Sequence, residues 1–147
     1  MDKNETLEAI ESARASHISQ MEKIKALING EKVDNPTAVA KTECQFGKWL
    51  YNKNYNLPVI LGTLFYTNVE VQHGKWHGEY TRLFNIFFQD KKQGLFAKLL
   101  GAPKIDEMEL DKAKLYYSEL EVTTNELLKM LDTCERRVSA MGEAKFH

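Results

Sequence analysis

Apolar residues recur at three- and four-residue steps through most of this chain, and the runs they form predict helices. Leu7, Ile10, Ala13, His17, Met21, Ile24, Leu27 and Ile28 trace one stripe over residues 5–29, with Asn4 as the expected N-cap and Gly30 as the stop. A polar connector follows, with a turn signal at Asp34-Asn35-Pro36-Thr37. Thr42 and Gln45 match a capping box, so a short helix is expected from Glu43, with Cys44 in its first turn. Beyond a second connector, Asn52–Pro58, the pattern resumes from Val59 to Gln93 through Leu61, Phe65, Val69, His73, Trp76, His77, Tyr80, Phe84 and Phe87. Gly94 and Gly101-Ala102-Pro103 bracket a short helical turn at Leu95–Leu100. The last helix, Ile105 to Met141, keeps a three–four alternation through Tyr117, Leu120, Thr124, Leu127, Leu131, Cys134 and Val138, as bundle packing requires.

The expected fold is therefore all-α: an up-and-down four-helix bundle with a short second helix and a long C-terminal one. No internal repeat or second domain interrupts the pattern, so residues 1–147 read as a single domain. Gly74 and Gly78, one turn apart in the third run, mark an expected close approach by a neighbouring backbone.

Charge excludes several function classes. Lys and Arg total 20 against 21 Asp and Glu, a net of -1, which gives no electrostatic footprint for nucleic acid. The N-terminus is polar, without the apolar core of a signal peptide, and no run is long enough to span a bilayer. A cytoplasmic protein without membrane or nucleic-acid partners is expected. Two cysteines, Cys44 and Cys134, are too few for a disulfide framework.

The candidate chemistry centres on His73 and His77, four residues apart and therefore on one helical face, where both imidazoles can reach one metal ion. A zinc hydrolase of this spacing needs Glu after the first histidine, and the residue there is Gly74. Glu70-Val71-Gln72-His73 is one half of a di-iron motif, but His17, His77 and His147 follow Arg14, Gly74 and Ala144 at the matching spacing, so no second half exists. Nucleophilic catalysis by Cys44 with a histidine base stays open, although nothing suggests an oxyanion hole. His17 lies within the first apolar stripe, and a helix N-terminus at Cys44 favours a thiolate. His17, Cys44, His73 and His77 together supply three nitrogens and one sulfur, a set suited to tetrahedral Zn2+. Such a set leaves no open coordination position, which argues against an enzyme and for structural or sensory zinc. A packed core holding these polar groups without metal is the alternative. It must bury three imidazoles that share no partner. Cys134, in the apolar seam of the last helix, reads as core filling.

Cys44-Gln45-Phe46-Gly47-Lys48-Trp49, with a histidine upstream and His-x-x-x-His downstream, resembles the chemoreceptor zinc-binding (CZB) domain family. That family's pattern is a histidine, then Cys-x-Phe-Gly-Lys/Arg-Trp, then His-x-x-x-His. The resemblance implies zinc ligation by His17, Cys44, His73 and His77 in a four-helix bundle that is often a homodimer. It also implies a regulatory role toward a bacterial chemoreceptor or diguanylate cyclase partner, with zinc or an oxidant such as hypochlorous acid as input at the cysteine. Gln20 departs from the family, which usually carries an aromatic residue or leucine three positions after the first histidine. The chain has no methyl-accepting coiled coil and no cyclase signature, so it acts through a partner or belongs to something longer. Two other readings stand beside this one: a structural zinc module for dimerisation or docking, and a metalloenzyme. Phe46, Trp49 and Trp76 are expected to shield the metal, Glu70 is a candidate acceptor for a ligand's second N–H, and Gly47 should allow the short helix to approach a neighbour closely.

Overall fold

The computed structural model describes residues 1–33, 40–88 and 105–146. The Asp34–Thr37 turn, the Leu95–Leu100 helical turn and His147 lie outside them. Five α-helices occupy the described residues, in the order α1 (Lys3–Ile28), α2 (Gln45–Leu50), α3 (Leu57–Leu61), α4 (Thr63–Phe88) and α5 (Glu107–Ala140). Short 3-10 turns at Lys53–Tyr55 and Glu143–Phe146 complete them, and no strand occurs among the described residues. The expected all-α fold is borne out.

Helix ends depart from the sequence reading in three places. α1 is capped by Asp2, not Asn4: Glu5 N–H donates to the Asp2 carboxylate at 2.8 Å, and the Glu5 carboxylate accepts from Asp2 N–H at 2.8 Å. This reciprocal box satisfies two donors where Asn4 would have satisfied one. The run from Val59 to Gln93 is not one helix. Gly62, at φ 88°, breaks it into α3 and α4, and Arg137 of α5 donates to the freed Leu61 carbonyl at 3.0 Å. Apolar spacing continues across the break, so periodicity alone conceals it, whereas a positive φ needs the glycine. α2 begins at Gln45, with Cys44 and not Thr42 as its cap.

Chain directions follow from side-chain pairs. Lys3 at the start of α1 donates to the Ser139 and Met141 carbonyls at the end of α5, and Arg14 pairs with Asp132 and Glu135. Arg137 stacks on Phe65 early in α4, whereas Arg82 near its end stacks on Tyr116. Thus α1 and α4 both run antiparallel to α5, and the short α2–α3 passage returns the chain between them. Ile10, Ile24, Leu83, Leu120, Leu127 and Leu131 are fully buried between the three long helices. Burial of side chains this size stabilises by roughly 1.5–3 kcal/mol each relative to exposure. The bundle is thus held by its apolar seams, and polar groups that interrupt them require an explanation.

Candidate metal centre

Among the described residues six polar ones are buried, and three of them are histidines at one level of the bundle: His17 (3 % exposed), His73 (0 %) and His77 (6 %). α1 delivers His17 on its apolar stripe, four residues beyond Ala13, whose carbonyl lies 2.7 Å from His17 Nδ1. A carbonyl can only accept, so Nδ1 carries the proton and Nε2 keeps its lone pair for the bundle interior. α4 delivers His73 and His77 one turn apart, with their Nε2 atoms 3.0 Å from each other. The candidate ligand atoms of all three imidazoles lie within 4.8 Å of one another, a group able to hold a metal ion.

Cys44, at the cap of α2, is not one of those three but borders them through His73. Its Sγ lies 3.3 Å from His73 Nε2 and accepts from Gly47 N–H at 3.2 Å. Sulfur thus fills the capping role that an oxygen side chain fills in most helices. Gly47 is what permits the arrangement. A Cβ there would fall 1.7 Å from the Lys41 carbonyl oxygen, so the close approach is to the preceding turn and not to another helix. The expected close approach at Gly74 and Gly78 does not occur. Gly74 lies under the Lys41 side chain, and nothing comes within 4 Å of a Cβ at Gly78.

The thiolate expectation for Cys44 is also corrected. Burial raises its pKa above the ordinary thiol value, and the N–H groups of Gly47 and Phe46 offset this only in part. In this half-buried site desolvation outweighs the end of a six-residue helix. A cation is therefore needed to hold the thiolate form. Burial also lowers the basicity of the histidines, with the charge of neighbouring imidazoles adding to it: His17 is pushed down to about 4 and His73 to about 2. Both stay neutral at physiological pH, the form that ligates metal.

Aromatic rings close the centre. Phe46 meets His73 edge-on at 4.8 Å, Trp76 meets His17 at 4.6 Å and His77 at 5.0 Å, and Trp49 stacks on Phe46 at 5.5 Å. The expected shield is present. On one side a cleft of about 190 Å3 reaches Cys44 between Ser16, Gln20, Glu43 and Tyr80, and the Tyr80 hydroxyl donates to Gln20 Oε1 at 3.0 Å. Gln20 thus builds the cleft wall through a contact between α1 and α4 that local pattern does not carry.

Glu70 is not an acceptor for an imidazole here. Its Oε1 accepts from Lys41 Nζ at 3.0 Å and from the Tyr51 hydroxyl at 3.3 Å. His73 Nδ1 is buried with no hydrogen-bond partner among the described residues. Cys134 lies in the seam of α5, fully buried, with its pKa pushed up to about 12 by burial.

These distances bear on which ion fits. Tetrahedral bonds of about 2.0–2.1 Å to nitrogen and 2.3 Å to sulfur separate neighbouring ligand atoms by roughly 3.3–3.6 Å. The 3.0 Å between imidazole nitrogens and 3.3 Å between nitrogen and sulfur are close to that spacing. The model of one family, the chemoreceptor zinc-binding domain, matches residues 17–83. Residues 17–83 are thus similar to a CZB domain. The matched stretch opens on His17 and takes in Cys44, His73 and His77. CZB is a regulatory zinc-binding domain associated with chemoreceptor signalling, and its cofactor is zinc. Neither the curated proteins nor the solved structures gave a match to the chain. No helix among the described residues is long and apolar enough to cross a membrane.

Proposed function

We propose that His17, Cys44, His73 and His77 bind one Zn2+ in a closed site, and that this zinc makes the CZB-like domain a sensory module of bacterial signalling. One observation supports the reading: three buried imidazoles from α1 and α4 crowd one another within 4.8 Å, and the Cys44 sulfur lies 3.3 Å from one of them. Four protein ligands leave no position for substrate, so the domain regulates and does not catalyse. The whole chain, 1–147, acts as one cytoplasmic domain in this reading.

The input is zinc itself or an oxidant that reaches Cys44 through the cleft. With hypochlorous acid the net step is thiolate plus HOCl giving sulfenic acid and chloride. The sulfur forms a bond to oxygen and loses two electrons, and the O–Cl bond breaks. A sulfur so oxidised is a poorer ligand, and α2, which starts just after that residue, loses one of its anchors to α4. The output is a partner of chemoreceptor or cyclase type.

A second copy of the chain is the other partner in this reading. Met108, Leu115 and Val122 recur every seven residues on α5 and are 57–80 % exposed, and Leu64 and Val71 repeat that spacing on α4 at 77 % and 62 %. Exposed apolar heptads of this kind favour helix-to-helix docking. Sedimentation of Leu115→Lys against the parent chain tests it: a dimer that persists unchanged removes this face from the interface.

The main test is zinc content before and after mild oxidant. Parent chain and Cys134→Ala should hold one zinc per chain and release it on oxidation, whereas Cys44→Ala should hold little from the start. Iron, or two metals per chain, would overturn the zinc reading. Tight zinc that ignores oxidant would leave a structural docking module in place of an oxidant sensor.

A further inference from the structure

α2 packs on α1, yet the sulfur at its cap must meet His73 on α4. Phe46 packs on His73 across that gap and the Tyr66 hydroxyl donates to the Leu50 carbonyl, and a further polar bridge meets on one side chain of α4. Lys41, in the turn before α2, reaches across Gly74 to the Glu70 carboxylate, and Tyr51, the C-cap of α2, donates to the same oxygen. Both ends of the Cys44 arm are thereby fastened to one side chain on α4, one turn before His73. The Lys41 carbonyl lies 3.6 Å from Cys44 Sγ, so the residue that grips Glu70 also borders the sulfur. Its backbone packs against Gly47 so closely that no Cβ fits. Lys41, Cys44 and Gly47 therefore move as a unit, and Glu70 is what that unit holds.

We propose that Glu70 is a positioning residue that docks the Cys44 arm, residues 40–51, onto α4, and that its bonds to Lys41 and Tyr51 set how readily that arm leaves the metal site. The part that concerns metal rests on the zinc reading above; the docking itself does not. The consequence is a graded release. Loss of the sulfur bond alone leaves the arm tethered and able to return, whereas loss of both leaves the Tyr66–Leu50 bond and the packing of Phe46 to hold it and so raises its opening.

Two measurements test this on the full chain. The first is amide hydrogen exchange of residues 40–51 in metal-free protein, which reads local opening of the arm. The second is the rate at which zinc-loaded protein yields its metal to a chelator. Glu70→Ala should speed both by about five- to tenfold, since it removes two hydrogen bonds to a charged acceptor on a part-exposed surface. Zinc stoichiometry should stay unchanged, because Glu70 is not a ligand. Glu70→Gln keeps an acceptor oxygen and should recover part of the effect. Lys41→Met added to Glu70→Ala should add little, because the two remove one interaction. Arg82→Met breaks a comparably exposed ion pair to Glu119 between α4 and α5 and should move neither rate. Rates unchanged in Glu70→Ala, or raised equally by Arg82→Met, would overturn the proposal. If the parent chain binds no zinc, the zinc reading falls, while exchange in the metal-free arm still decides whether Glu70 docks it.

Discussion

Cys44 and Cys134 are the same side chain placed in two opposed settings. Cys134 is fully buried in the apolar seam of α5, and burial pushes its pKa to about 12. Cys44 caps a short helix at the edge of the bundle, 3.3 Å from an imidazole and open to a cleft. Both thiols are made less acidic by burial, so acidity alone does not separate them. What separates them is company: Cys44 lies 3.3 Å from His73 Nε2 at the edge of the histidine group, whereas Cys134 lies in the apolar seam. If the proposed zinc is bound, the cation beside Cys44 is what sets its reactivity apart from that of Cys134.

The largest expected effect tests that contrast directly. Replacing Cys44 or His73 by Ala should weaken zinc binding by more than about a hundredfold, since losing a mere outer partner of a ligand already costs 10–100-fold. Cys134→Ala should leave affinity unchanged and cost only the small cavity, about 1 kcal/mol. Chelator competition measures all three. Equal losses from the two cysteine variants would erase the distinction.

Metal removal should fall on one region more than the other. A ligand present at 1,000 times its Kd stabilises by about 4.1 kcal/mol. In a domain of this size, stripping zinc should lower Tm by roughly 10 °C. The opening should begin at α2 and the middle of α4, while exchange protection around Leu127, Leu131 and Cys134 lasts longest. Uniform loss of protection would mean that the two regions are one cooperative unit.

Much of this was legible in the sequence, and the rest has identifiable physical reasons. The order of helices and the convergence of His17, His73 and His77 followed from spacing, because a histidine inside an apolar stripe must face the core. The role of Cys44 as a cap was hidden behind Thr42 and Gln45, which satisfy the same local rule. What marks Cys44 as the cap is the Gly47 N–H bonded to its sulfur. The break at Gly62 was masked because apolar periodicity does not register a positive φ. Glu70 was visible as a neighbour of His73, but its partners Lys41 and Tyr51 come from elsewhere in the chain, and local pattern does not carry such pairs. Gly78 looked like a packing site and faces open space instead.

Acid should discriminate between the regions next. In metal-free protein His17 and His73 are held at about 4 and about 2, below the ordinary 6.5. Unfolding frees both to protonate near 6.5, so the unfolded chain binds more protons below that pH. The stability they contribute is full above pH 6.5 and is lost as pH falls from there through 4. For His17 alone the loss by pH 4 is about 3 kcal/mol. Chemical denaturation of metal-free protein from pH 7.5 to 4 should show this slope, and His17→Phe should remove roughly half of it, leaving the share of His73. A slope unchanged in that variant would place the titrating group elsewhere.

The smallest effect carries a reversal of sign. Gly47→Ala brings a methyl group to 1.7 Å from the Lys41 carbonyl oxygen, and because that contact is backbone it cannot yield by rotating a side chain. The turn at Lys41 must move, at a cost of about 1–3 kcal/mol as for other overpacked sites. Since that turn positions Cys44, zinc affinity should fall with stability. Gly78→Ala places the same methyl group in open space on α4, where alanine is favoured over glycine by about 1 kcal/mol. It should stabilise the chain and leave zinc affinity unchanged, although Gly78 is the immediate neighbour of His77 and Gly47 lies three residues from Cys44. Sequence distance to a ligand therefore predicts the wrong order. The three-dimensional neighbour of each methyl group predicts the right one, and paired thermal melts with zinc titration of the two variants decide between them.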